Sequence, residues 1–368
     1  MSELFPRSGS AGGRARMRAG TAAGRERALA HSRHRCASMT VTLLLVLAGL
    51  VLLVFGGDLL VRGAVKAATR LGVSPLVIGL TLVGFGTSTP ELVTSVQASL
   101  AGAPGIAIGN IVGSNIANIL LILGISALIA PIAIDSRALT RDGVVALVVA
   151  VLFAALAFVW PLDRLVGAVF VAGLAAYIFV AFRQERSAVP VPDHGALYDK
   201  AVATQAADDA LVPDPAEKGG GLLWPILLAL AGLVLVVGGG KLLVDGATEL
   251  ARGLGISETV IGLTVVAVGT SLPELVTSVV AALRRQADVA FGNIVGSNIY
   301  NILGIGGVTG LIAPVDIPGE IARFDAPVMV GVTLLMLLVA WTGRKIVRWE
   351  GAVLIGGYGA YLWFLWPA

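Results

Sequence analysis

Two short segments of this chain carry the residue types that bind hard cations. They read Gly86-Thr87-Ser88-Thr89-Pro90-Glu91 and Gly269-Thr270-Ser271-Leu272-Pro273-Glu274. Glu91 and Glu274 fall at the centre of otherwise apolar runs, where a charge costs about 2.5–3.5 kcal/mol even on the mildest scale. Thr87 and Ser88 precede Glu91 by four and three residues, so all three share one helical face, and Thr270, Ser271 and Glu274 repeat the arrangement. Each proline deprives the carbonyl four residues earlier, Gly86 or Gly269, of its helical donor and bends the helix. Inside a membrane, broken backbone is tolerated only against protein or a polar cavity. Carboxylate, hydroxyl and freed carbonyl together make a hard oxygen set, and calcium takes about 6–8 such ligands. Two carboxylates also match the charge of one divalent cation. Metals that prefer thiolate or imidazole would need Cys or His at this depth. Cys36, His31 and His34 lie in a basic tail and His194 lies in a polar loop.

The next apolar run of each half opens with a second polar motif. These are Gly109-Asn110-Ile111-Val112-Gly113-Ser114-Asn115-Ile116-Ala117-Asn118 and Gly292-Asn293-Ile294-Val295-Gly296-Ser297-Asn298-Ile299-Tyr300-Asn301. Ser114 with Asn118, and Ser297 with Asn301, share a face and suit either cation ligation or hydrogen bonds between helices. Gly109 with Gly113, and Gly292 with Gly296, form the small-xxx-small pattern that lets helices approach closely. Asn110, Asn115, Asn293 and Asn298 read as structural.

Composition says what must position these residues. Of 368 residues, 57% are hydrophobic and 13% charged, against roughly 25% charged in soluble domains. Mean hydropathy is +0.90. A soluble domain, a disordered chain and a disulfide scaffold are excluded, and nucleic acid is not an expected partner despite a pI near 9.2. The expected class is an all-α polytopic membrane protein of ten transmembrane helices, at roughly 41–61, 74–100, 105–130, 144–160, 165–182, 222–244, 257–283, 288–312, 326–342 and 346–366. Its partners are then the lipid bilayer and inorganic cations.

The segment 183–221 holds four prolines, seven acids and four basic residues. That predicts a solvated linker, and its acids lack EF-hand spacing. It separates a first five-helix half, 39–182, from a second, 222–368. At a constant offset of 183, residues 86–120 match 269–303 at 24 of 35 positions. The match extends weakly upstream through Leu71-Gly72 with Leu254-Gly255, and Ile78-Gly79-Leu80-Thr81 with Ile261-Gly262-Leu263-Thr264. Five spans per copy is an odd number, so the second copy is inverted, a signature of secondary transporters with a site near the midplane. Asp58/Arg62 and Lys241/Asp245 read as ordinary i,i+4 ion pairs near span ends.

Basic residues set the orientation. Loops on the side of the termini hold three, Arg164, Arg252 and Arg323, against fourteen on the other side, Lys200 among them. The linker is therefore expected in the cytoplasm and the termini outside. The eight arginines of 1–38 would then have to cross the membrane, so translation is expected to start at Met39.

The doubled motif closely resembles the alpha repeats of the cation/calcium exchanger superfamily, in its sodium/calcium exchanger branch of prokaryotic type. The strongest match covers about 70 residues in two copies, while span number, linker and orientation agree over 39–368. The resemblance implies two inverted five-helix repeats around a central site formed by the second, third, seventh and eighth spans. It implies calcium and sodium as transported substrates, no cofactor and no enzymatic activity. Glu91 and Glu274 would be the calcium carboxylates, with backbone carbonyls from Thr87 and Thr270. Ser88, Ser271, Ser114 and Ser297, with carbonyls near Gly84 and Ala267, resemble sodium ligands, and Asn118 fits the central polar position. Where sodium/calcium exchangers have Asp, this chain has Asn301, which leaves sodium, potassium-assisted and proton coupling open. The proton-coupled branch carries an acid where this chain has Gly113 or Gly296, which favours sodium. The expected function is calcium/sodium antiport by alternating access, with proton/divalent-cation antiport and a passive cation channel as alternatives. A membrane protease would need paired Asp or an in-membrane base beside a serine, and neither is present.

Overall fold

The structure, a computed structural model, describes residues 11–73, 78, 82, 84–134, 139–187, 196–212, 221–283 and 287–366. The repeat positions Gly79, Leu80 and Thr81 lie outside them, as do the linker's four prolines, His194 and the loop charges Arg137, Lys218, Arg284 and Arg285. The chain divides into Met1–Leu44 and Leu45–Ala368, and the candidate cation-ligand segments all belong to the second unit.

Among the described residues, helices stand at all ten expected positions. Seven are long and apolar enough to cross a membrane: Met39–Arg70, Pro104–Ile129, Leu139–Val159, Arg164–Arg183, Leu223–Leu254, Val289–Ile312 and Ile321–Gly343. Glu258–Thr270 and Leu272–Leu283, bent by 48°, make an eighth. The second span is described as Gly84–Gly86 and Thr89–Leu100, and the tenth is Arg348–Leu365. Ile132–Ala133 and Lys345–Ile346 form a two-residue antiparallel pair between loops.

The fourth and ninth spans start about a turn earlier than hydropathy predicts, at Leu139 and Ile321 rather than 144 and 326. Each takes in an acid, Asp142 or Asp325, buried to 2% exposure. Tyr177 Oη donates to Asp142 at 2.8 Å, and Tyr361 Oη donates to Asp325 at 2.8 Å. A carboxylate supplied with donors can enter a span that hydropathy alone would end at the charge.

The inversion is visible in the first and sixth spans. Their glycines recur at Gly49, Gly56, Gly63 and at Gly232, Gly239, Gly246, again 183 apart. Gly49 abuts Gly239 and Leu243, Gly56 abuts Val236, and Gly63 abuts Pro225 and Ala229. The partner numbers fall as the first span rises, so the two equivalent helices run antiparallel. The Leu-Gly pair of each copy ends its helix, with Gly72 and Gly255 in the left-handed region at φ 79° and 69°, where a glycine meets no Cβ penalty. Burial separates centre from periphery. The apolar windows of the third and eighth spans are 83% and 89% buried, while those of the first and sixth are 28%. The outer face carries Trp341, Val234 and Trp363, as a lipid-facing surface requires.

Candidate cation site

The broken second and seventh spans put their breaks beside the two buried central spans. Helix stops at Thr87 and Ser88 and resumes at Thr89, while Ser271 interrupts the seventh span. Ser88 and Ser271 sit near φ −87°, ψ 6° and φ −82°, ψ 11°, the bridge region where functional residues recur. The breaks are held from the third and eighth spans. Asn110 Nδ2 donates to the Glu91 carbonyl at 3.1 Å and to Ser95 Oγ at 2.9 Å. Asn293 Nδ2 donates to the Glu274 carbonyl at 3.3 Å and to Ser278 Oγ at 2.7 Å. Both amide Nδ2 groups thus act as hydrogen-bond donors between neighbouring spans.

The carboxylates are crossed between the halves. Ser88 Oγ donates to Glu274 Oε1 at 3.0 Å, and Ser271 Oγ donates to Glu91 Oε1 at 2.9 Å. Both acids are 1% exposed. The second oxygens, Glu91 Oε2 and Glu274 Oε2, are buried without a hydrogen-bond partner, and so are Asn118 Oδ1 and Asn301 Oδ1. Buried acceptors left unpaired are costly; four of them on the residues expected to ligate cations fit a site completed by cations. Ser114 Oγ donates to the Ala267 carbonyl at 3.4 Å, and Asn118 Nδ2 donates to Asn298 Oδ1 at 2.9 Å. Thr270 Oγ1 donates to Asn110 Oδ1 at 3.0 Å. Ser297 is fully buried, as is Gly84 at the start of its short helix. Among the described residues no three or more His, Cys, Asp or Glu gather to hold a metal; the oxygens brought together here are hydroxyl, amide and carbonyl around two carboxylates.

Packing explains the glycines. A Cβ at Gly113 would stand 2.7 Å from the Leu263 carbonyl oxygen, and one at Gly109 would stand 3.0 Å from the Leu263 nitrogen. The third span can therefore touch the seventh, backbone to backbone. Gly292 and Gly296 face a different element, the helix Ala196–Ala207. This is the main departure from the sequence reading, which treated 183–221 as solvated throughout. Ala196, Ala201 and Ala203 are buried, and Lys200 is 0% exposed. The stretch Ala196-Leu-Tyr-Asp-Lys-Ala-Val-Ala-Thr-Gln-Ala-Ala207 has no Pro or Gly and is rich in alanine. That was the available signal: small residues with high helix propensity that can lie on a glycine face. The Ala196 N–H donates to Asp142 Oδ2 at 2.8 Å, and Arg62 bridges Asp208 at 2.7 Å and Asp58 at 2.8 Å. The Asp58/Arg62 pair is thus more than a local i,i+4 pair. Lys241 and Asp245, 3.7 Å apart and exposed, remain one.

Lys200 Nζ enters the site itself. It donates to Thr87 Oγ1 at 2.8 Å and Ser88 Oγ at 3.4 Å, and it bonds Ser297 Oγ. Glu274 Oε1 is 3.5 Å away, and the ring of Tyr300 lies 5.9 Å from the ammonium.

The chain matches the family described as sodium/calcium exchanger protein over residues 41–183 and 224–366. It is 40% identical over 348 residues to the sodium/calcium exchanger MaX1 of Methanosarcina acetivorans, covering 88% of this chain and 98% of that one. It is 34% identical over 334 residues to the inner membrane protein YrbG of Escherichia coli, covering 89% and 98%. Solved structures of the sodium-calcium exchanger NCX_Mj superpose with a TM-score of 0.57 at 34% identity, over 89% of this chain and all of that one.

Proposed function

This chain belongs to the sodium/calcium exchanger family, and we propose that it exchanges calcium for sodium at the crossed Glu91–Glu274 centre. It is an integral membrane antiporter, not an enzyme, and its substrates are inorganic cations. The single observation that carries the site assignment is the pair of buried carboxylates, each with one oxygen held by the opposite repeat's serine and the other oxygen unpaired.

Glu91 and Glu274 supply the two negative charges that a calcium ion needs, and the Thr87 and Thr270 carbonyls extend the oxygen shell. Ser88, Ser271, Ser114 and Ser297, with the carbonyls of Gly84 and Ala267, form flanking sodium positions. Asn118 and Asn301 contribute neutral oxygens at the centre. Calcium and sodium need the same carboxylates, so they occupy the site in turn. That mutual exclusion is the physical basis of exchange. Alternating access follows from rocking of one repeat against the other about a fixed central site. The linker 183–221 lies in the cytoplasm and the termini outside, as the distribution of basic loop residues supports, and the archaeal and bacterial relatives support a prokaryotic plasma membrane.

The test is radioactive calcium uptake into proteoliposomes with an outward sodium gradient, an outward proton gradient or none. Uptake with sodium alone, lost in Glu91→Gln and Glu274→Gln, is expected. Uptake with protons alone overturns the counter-ion, and uptake without any gradient indicates a channel.

A further inference from the structure

We propose that the linker helix Ala196–Ala207 is a detachable plug, and that Lys200 is a tethered cation standing in the place of a transported one. The proposal rests on reading the Glu91–Glu274 centre as the cation site.

The ammonium takes three oxygens assigned above to cations, the Ser88 and Ser297 hydroxyls and the Glu274 carboxylate, together with the hydroxyl of Thr87. Lysine is donor-only, with three N–H groups, and its contacts are the Thr87, Ser88 and Ser297 hydroxyls and the Glu274 carboxylate. No cation can use those oxygens while Lys200 is among them. The ion pair is fully buried on both sides, so its lysine offsets part of the charge that calcium would otherwise neutralise.

Pseudo-symmetry shows that the lysine displaces bonds the fold would otherwise make. Thr270 Oγ1 donates to Asn110 Oδ1. The counterpart bond, 183 residues away, would run from Thr87 to Asn293. Instead Thr87 Oγ1 accepts from Lys200, and Asn293 Oδ1 is left buried without a partner. Ser114 reaches the Ala267 carbonyl of the opposite repeat, whereas its counterpart Ser297 is bonded to Lys200. The glycine face of the third span is filled by the seventh span, and that of the eighth span by Ala196, Asp199 and Lys200. Both vacated interactions, and the face itself, are available for a symmetric arrangement once the helix leaves.

The helix is held by contacts that can be released. Asp142 caps its first residue, and Arg62 pairs with Asp208 just beyond its last. A cavity of about 600 Å³ lies alongside, lined by Asp58, Arg62, Thr87, Thr204, Asp208 and Thr277. It brings solvent-sized space to the same hydroxyl that holds the lysine. Because the helix belongs to the same chain, its competition with free calcium is intramolecular and set by an effective concentration. A site plugged nine-tenths of the time would show an apparent calcium affinity reduced about tenfold. The linker would then tune the calcium level at which exchange begins.

The experiment compares proteoliposome calcium uptake by the full chain, Lys200→Met, and a variant with residues 196–207 replaced by a Gly/Ser stretch of equal length. Lys200→Met and the replaced linker are both expected to lower the calcium KM about tenfold without loss of maximal rate. An unchanged KM in both, or loss of transport in both at normal expression, overturns the plug. A second readout does not depend on transport. In a Cys36→Ser background, Ala203→Cys, whose native side chain is fully buried, should react slowly with a polar maleimide. Calcium or Lys200→Met should speed the reaction, whereas calcium protection or no change overturns the plug. Glu274→Gln separates the two claims: if it still transports at full rate, the site reading itself fails, whatever Lys200→Met does.

Discussion

Ser88 donates its hydroxyl to Glu274 Oε1 at 3.0 Å across 186 residues of sequence. Its repeat counterpart, Ser271, does the same for Glu91 at 2.9 Å. Neither half of the chain positions its own carboxylate oxygen; each is oriented by the break in the other half. A hydrogen bond to a charged group is worth about 1.5–3 kcal/mol. Ser88→Ala and Ser271→Ala should each raise the sodium requirement of calcium uptake, by about tenfold or more. The double variant should fall short of the summed effect, because both serines act on one coupled centre. Initial uptake rates across a sodium titration give both numbers.

Neutralising either acid should be more severe. Glu91→Gln and Glu274→Gln keep the side-chain volume but leave a bound calcium one charge short. Exchange should fall by at least about 100-fold, equivalent to roughly 2.7 kcal/mol. Calcium titration of the purified variants by calorimetry should show the same loss as flux. Intact binding with lost flux would mean that the acids serve movement and not ligation.

Packing of the central spans makes a separate prediction. Gly113→Ala would put a methyl 2.7 Å from a backbone oxygen of the seventh span, where neither side can move without shifting a helix. Overpacking of this kind costs about 1–3 kcal/mol, so the melting temperature in detergent should drop clearly. Gly221→Ala, with nothing within 4 Å of its Cβ position, should leave melting unchanged.

Asp142 and Asp325 are repeat counterparts, and each accepts from a tyrosine. Asp142 also accepts the first N–H of the linker helix. Asp142→Asn should therefore speed amide exchange across 196–207, and Asp325→Asn should not. Hydrogen exchange read by mass spectrometry would show it. Equal effects of the two substitutions would mean that the acid supports its own span and not the linker helix.

The amino-acid sequence by itself determined the membrane class, the doubled polar motif and the inversion. Apolar runs, a 183-residue offset and an odd span count are properties of the linear chain. It also pointed to Glu91 and Glu274, because a charge at the centre of a span is costly unless partners or bound cations offset it. Tertiary structure decided the rest. That Ser88 serves Glu274 and not its neighbour Glu91 depends on how two bent helices cross, which spacing along one helix cannot express. Asp142 and Asp325 were hidden because their tyrosine donors sit more than 30 residues away, and hydropathy counts a charge without seeing its partner. Lys200 was hidden for the same reason on a larger scale. Its segment is polar in composition, yet its alanines fit the glycine face of the eighth span, and its ammonium finds four oxygens that only the folded bundle brings together.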